Sequence, residues 1–85
     1  MSLDDAHQWV SQAITHSDAG DFDQAYEAYQ RALQLEPESV SLNYNWALSA
    51  LRRRDRLQTA ECANRLMNAA PEDWRTLMAQ AYLAE

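Results

Sequence analysis

Apolar residues along this chain fall in pairs four apart, Val10 with Ile14, Tyr44 with Leu48 and Met78 with Tyr82, a spacing that puts each pair on one face of a helix. No alternation of the kind a half-buried strand needs competes with it. The polar punctuation agrees: Asp21-x-x-Gln24 recurs as Asp55-x-x-Gln58, Pro37 as Pro71 and Ser39 as Asp73, all after the same interval. An Asp or Ser side chain accepts hydrogen bonds from the free amides of a first helical turn, and a Gln three places on can reach back. A proline just past a helix stops it. These boundaries predict an all-α chain of five helices, over 3–18, 22–35, 40–53, 56–69 and 74–84, joined by tight turns.

From Ala6 to Pro37 the chain resembles the tetratricopeptide-repeat family, whose period of about 34 residues equals that interval and whose helix-turn-helix unit cannot bury its apolar face alone. Trp9, Ala13, Gly20, Phe22, Ala25, Tyr29, Ala32, Leu33 and Pro37 all match the family pattern. Physically, Ala13, Ala25 and Ala32 let two helices approach closely, Trp9 and Tyr29 are expected to fill the space between them, and Gly20 takes the positive backbone angle of the turn.

The second repeat, 40–73, departs from the pattern. It keeps Ala47 and Pro71, but Gly20 becomes Arg54, and the large-then-small pair Tyr29 and Ala32 becomes the small-then-large pair Ala63 and Leu66. That exchange roughly conserves core volume. An Arg in a left-handed turn costs about 1 kcal/mol, so a turn of different shape is expected there. Trp46, aligned with Gln12, is the expected bulky filler. The last helix aligns with the first helix of a third repeat, a half repeat or cap. The resemblance thus implies a single domain over 1–85, with repeats at 6–39 and 40–73 and a half repeat at 74–85, its antiparallel helix pairs stacked as a short solenoid.

In this family the first helix of each repeat lines a concave groove, which here implies Val10, Ile14, Tyr44, Leu48, Met78 and Tyr82 as ligand-facing residues. A water-facing apolar stripe of that kind marks a partner site, and its expected ligand is an apolar or amphipathic polypeptide segment. One subset of the family clamps a C-terminal carboxylate with five polar side chains. The matching positions are Val10, Ile14, Asn45, Arg75 and Ala79, of which only Asn45 and Arg75 have the right chemistry. The clamp is therefore not expected, although Asn45 and Arg75 remain candidates for bonding a ligand backbone or carboxylate. The implied function is a protein-binding adaptor or chaperone-like module. The alternatives are a self-associating scaffold, with a homodimer covering the stripe, and a regulatory repeat domain of a larger enzyme.

Composition sharpens this reading. Eighty-five residues with one Gly, two Pro and 47% apolar content suit a compact helical protein and not a disordered tail. Through Leu42 there are eight acids against Arg31 alone, and from Asn43 onward six arginines against five acids, for a net charge of −6. Such a balance argues against nucleic acid and anionic membranes as partners. The single Cys62 permits no internal disulfide, and no basic start followed by an apolar run suggests export, so the cytoplasm is the expected compartment.

The remaining signals have plain readings. Arg52, Arg53, Arg54 and Arg56 sit near a helix C-terminus, where cations favour the helix dipole; a solvated face is expected, with an acidic partner as the next possibility. His16, Ser17 and Asp18 are consecutive helical residues pointing about 100° apart and cannot form a relay. His7 and His16 are too far apart on one helix to share a metal, and Cys62 reads as a small packing residue. With no Gly-rich phosphate loop and no nucleophile beside a base, neither a cofactor nor an enzymatic activity is expected of this segment.

Overall fold

A computed structural model describes residues 3–84 of the chain, with side chains from residue 6 onward. Five helices follow one another, α1 (Leu3–Asp18), α2 (Phe22–Leu35), α3 (Val40–Arg53), α4 (Arg56–Ala69) and α5 (Trp74–Ala84), and no strand occurs among the described residues. The capping residues act where the sequence places them. Asp21 accepts from the Gln24 amide at 3.4 Å and Asp55 from the Gln58 amide at 3.1 Å, while Gln24 Nε2 donates back to Asp21 at 3.1 Å. Ser39 Oγ accepts from the Leu42 amide at 3.2 Å, and Asp73 from the Arg75 amide at 2.9 Å. At the far ends, the Glu36 amide donates to Ala32 O and the Ala70 amide to Leu66 O, at equivalent places in the two helix pairs. Each of these last residues precedes a proline, which holds it in extended backbone and ends the helix.

Two compact units result, one running to Pro37 and the other beginning at Glu38. In the first, α1 and α2 pack through small side chains: Ala13, Ala25 and Ala32 are fully buried, and Tyr29 fills the space they leave. Trp9 differs from expectation. It is only half-buried, because the flanking Gln12 and His16 are polar and the interhelical space beside it stays open as a hollow of about 170 Å³. The Arg31 guanidinium covers its ring instead, with Cζ 5.1 Å from the centroid, a cation held over the electron-rich face.

The second unit joins α3, α4 and α5. Trp46 is the buried filler, 2% exposed, and packs in a core that includes Leu42, Ala47, Cys62, Ala63 and Leu66. The exchange of Tyr29 and Ala32 for Ala63 and Leu66 leaves all four residues fully buried, so both orders fill their helix pair. Arg65, the counterpart of Arg31 one repeat on, again lies over a tryptophan, with Cζ 5.3 Å from the Trp46 ring, and its Nε donates to Asn43 Oδ1 at 2.6 Å. The sequence carries this second recurrence, Arg31 and Arg65, but it stands outside the family's apolar pattern. Helix α5 lies on α4 through Thr76 and Ala79, both fully buried. Thr76 Oγ1 donates to the Ala70 carbonyl at 2.6 Å, which also accepts from the Asp73 amide, and Gln80 Nε2 reaches Ala63 O at 3.4 Å.

The turn inside the second helix pair corrects an expectation. Arg54 adopts φ 64°, ψ 36°, the left-handed conformation that Gly20 takes with φ 83°. The hydrogen bonds match as well: Gly20 N donates to Ser17 O at 3.0 Å and Asp21 N to His16 O at 2.8 Å, as Arg54 N does to Leu51 O at 3.0 Å and Asp55 N to Ala50 O at 2.8 Å. In both turns this geometry closes the helix end on its own carbonyls. The chain therefore keeps the turn and tolerates about 1 kcal/mol of backbone strain at Arg54.

Candidate functional site

The residues expected to meet a partner lie on α1 in the first unit and on α3 and α5 in the second. On α1, Val10 is half-buried and Ile14 is 36% exposed. On α3, Tyr44, Asn45 and Leu48 are half-buried; on α5, Arg75 and Tyr82 are half-buried and Met78 is exposed.

The second unit brings several of these together. The Tyr44 and Trp74 rings meet with centroids 5.5 Å apart and planes at 67°, a favourable edge-to-face arrangement. The Tyr44 and Tyr82 side chains share a hydrogen bond, which together with burial raises the Tyr44 phenol above its ordinary value, the nearby Arg75 charge opposing slightly. Tyr44 also packs, with Val40 and Leu83, on the buried cluster of Ala63, Leu66 and Ala79. It thus couples the exposed surface of α3 and α5 to the core beneath, so its substitution affects packing as well as binding. Around it, Trp74 is 61% exposed, Leu77 58% and Met78 38%, an unusually apolar solvent face for a short helix. Trp74 is not among the residues that the sequence pattern points to. The signal was present all the same, since Trp74 stands four positions before Met78, the spacing that puts both on one face of α5.

The two polar candidates are held by their own helices. Asn45 Nδ2 donates to Ser41 O at 2.9 Å, and Arg75 grips Asp73 with Nε and Nη2, both at 3.1 Å. The hydrogen bonds from Arg75 hold the Asp73 carboxyl below the usual carboxylate range, and Asp73 in turn raises Arg75. The same guanidinium stands 5.9 Å from the Trp74 ring centroid. Ala79, at the remaining clamp position, is fully buried and faces no ligand.

Other chemistry finds little support. Among the described residues no three His, Cys, Asp or Glu side chains converge to hold a metal ion. His7 is exposed, and His16 lines the hollow beside α2. Burial pushes the Cys62 thiol up, against the opposing pull of the Gln58 and Arg65 side chains that point at its sulfur from 3.6 and 3.5 Å; a thiol kept neutral is a poor nucleophile. Among the described residues no helix is long and apolar enough to cross a membrane.

Comparison with known proteins gives one match. Residues 6–39, comprising most of α1, all of α2, the turn between them and the approach to α3, fit the family model of the tetratricopeptide repeat. No curated protein and no solved structure matches the chain.

Proposed function

We propose, for a chain whose residues 6–39 form a tetratricopeptide repeat, a unit that generally mediates protein–protein interaction, that it is an adaptor or chaperone-like module holding an apolar or amphipathic polypeptide segment. Its contact residues are Val10 and Ile14 on α1, Tyr44, Asn45 and Leu48 on α3, and Arg75, Met78 and Tyr82 on α5. The observation that carries this reading is the aromatic surface of the second unit, where Tyr44, Trp74 and Tyr82 are joined by ring and hydroxyl contacts beside the exposed Met78. Burying such a surface against an apolar segment removes it from water, at about 25 cal/mol per Å². Asn45 and Arg75 border it with side chains already oriented by Ser41 and Asp73, which lowers the ordering cost of meeting a ligand backbone.

The test is binding to an array of amphipathic helical peptides. Met78→Asp places a charge on the solvent side of α5, so it should weaken capture at least about tenfold, the loss expected from desolvating one charge at an apolar contact. Helicity by circular dichroism should stay at the parental level. Equal capture by Met78→Asp and the parent would remove α5 from the binding surface.

A further inference from the structure

The two intra-pair turns share a backbone and carry opposite charge. Asp18-Ala19-Gly20-Asp21-Phe22-Asp23 holds three acids, whereas the equivalent stretch one repeat on, Arg52-Arg53-Arg54-Asp55-Arg56-Leu57, holds four arginines and one acid. Four of the seven basic residues of an acidic chain thus stand within five positions. Solvation or the helix dipole explains arginines at the end of α3, but neither requires one at position 54. There the backbone is left-handed, and glycine serves the same geometry without strain in the other turn. A strained residue held where an unstrained one is available points toward function.

The surroundings supply the second half of the argument. Leu51, 37% exposed, and Leu57, 74% exposed, flank the arginines, and the surface between Leu51, Arg54, Asp55, Thr59, Tyr82 and Leu83 dips into a dimple of about 20 Å³. Arg56 crosses its rim and donates from Nη2 to Leu83 O at 2.8 Å, which caps the end of α5 and leaves its other guanidinium donors available. We infer that the α3–α4 turn is a second docking point, separate in chemistry from the aromatic surface, for an acidic polypeptide segment that also carries apolar residues. The carboxylates meet Arg54 and its neighbours, and the apolar residues lie against Leu51 and Leu57. Charge complementarity selects this occupant. The exposed leucines favour a polypeptide over nucleic acid, whose backbone offers no apolar group, and the net charge of −6 opposes long polyanions and anionic bilayers.

The experiment measures binding of a short labelled peptide composed of Asp, Glu and Leu by fluorescence anisotropy, beside its Asn/Gln counterpart, an oligo-dT strand and phosphatidylserine vesicles. Wild-type protein should bind the acidic peptide and none of the others, with affinity falling as salt rises from about 0.05 to about 0.5 M and the screening length contracts. Arg54→Gly should raise the melting temperature by a few degrees, by relieving the strained backbone, and weaken the peptide about threefold. Arg53→Gln combined with Arg54→Gly should weaken it about tenfold. A variant that is more stable yet binds less separates binding from folding. Capture of the amphipathic helical peptides, read on the same proteins, should stay at the parental level in the Arg53→Gln, Arg54→Gly double variant, so failure of one site does not imply failure of the other. No binding of the acidic peptide, equal binding of its amide counterpart, equal binding by the double variant, or preferred binding of oligo-dT or vesicles would each overturn the assignment. So would salt-sensitive self-association, seen by sedimentation and abolished in the double variant, because the acidic segment would then be the first unit of another copy.

Discussion

The two helix pairs solve one packing problem with different side chains. In α1 and α2 the small residues do most of the close approach, and the large aromatic Trp9 stays half-open under Arg31 beside a polar hollow. In α3 and α4 the tryptophan sits one turn further along, at position 46, is sealed to 2% exposure, and has its own arginine, Arg65, anchored on Asn43. The two helix pairs thus keep the same helix ends while different side chains fill the space between the helices. Where the large residue moves inward, its former position is taken by the buried Asn43, whose amide donates to Ser39 O at 2.9 Å and whose oxygen accepts from Arg65. Both side-chain polar atoms of Asn43 are thus hydrogen-bonded inside the fold, which offsets the cost of burying them.

The sharpest test of that contrast is the pair of tryptophans. Trp46→Ala should cost about 3–5 kcal/mol, as expected for a sealed aromatic, which is a large share of the roughly 4–13 kcal/mol available to a domain of this size. Trp9→Ala should cost about half as much, because its ring is already partly hydrated and its loss forfeits one cation contact. Urea unfolding of both variants checks the order; equal losses would break the distinction between an open and a sealed pair. The turns offer a smaller test. A Cβ added at Gly20 meets no atom within 4 Å, so Gly20→Ala isolates backbone strain and should cost about 1 kcal/mol. A markedly larger loss would mean that the two turns differ in more than their side chains.

The smallest effect concerns pH. The hydrogen bond with Tyr82, aided by burial, raises Tyr44 above the unfolded tyrosine value, so the folded state retains that proton when the unfolded state has lost it. The resulting stability is fully present below about pH 10 and is lost as pH rises through the folded value. Thermal melts of the parent should therefore fall more steeply than those of Tyr44→Phe above about pH 10. Parallel falls would show that the Tyr44–Tyr82 contact contributes nothing to the second unit.

Much of the fold was legible from short-range signals. The helix boundaries follow from Asp21, Ser39, Asp55 and Asp73 at the starts and from Pro37 and Pro71 after the ends, since capping and proline effects act within one helical turn. Tyr29 as a filler followed from the family resemblance and Trp46 from its alignment with Gln12, whereas Trp9, expected beside Tyr29, stays half-open. The candidate site was legible as positions on helices but not as contacts. Nothing in the spacing of Arg75 and Asp73 indicates that each already holds the other, or that Asn45 bonds its own helix.

The sequence by itself determined the five helices, their ends and the small residues that let each pair close. Local hydrogen bonds and the recurrence of Asp21 as Asp55 and Pro37 as Pro71 specify these without reference to distant parts of the chain. Only the tertiary structure decided that Arg54 accepts a left-handed backbone, that Trp9 stays half-open while Trp46 is sealed, and that Tyr44 joins Trp74 to Tyr82. Each of these depends on which groups a neighbouring helix brings within reach, and on whether satisfying two helix-end carbonyls outweighs about 1 kcal/mol of strain at one residue.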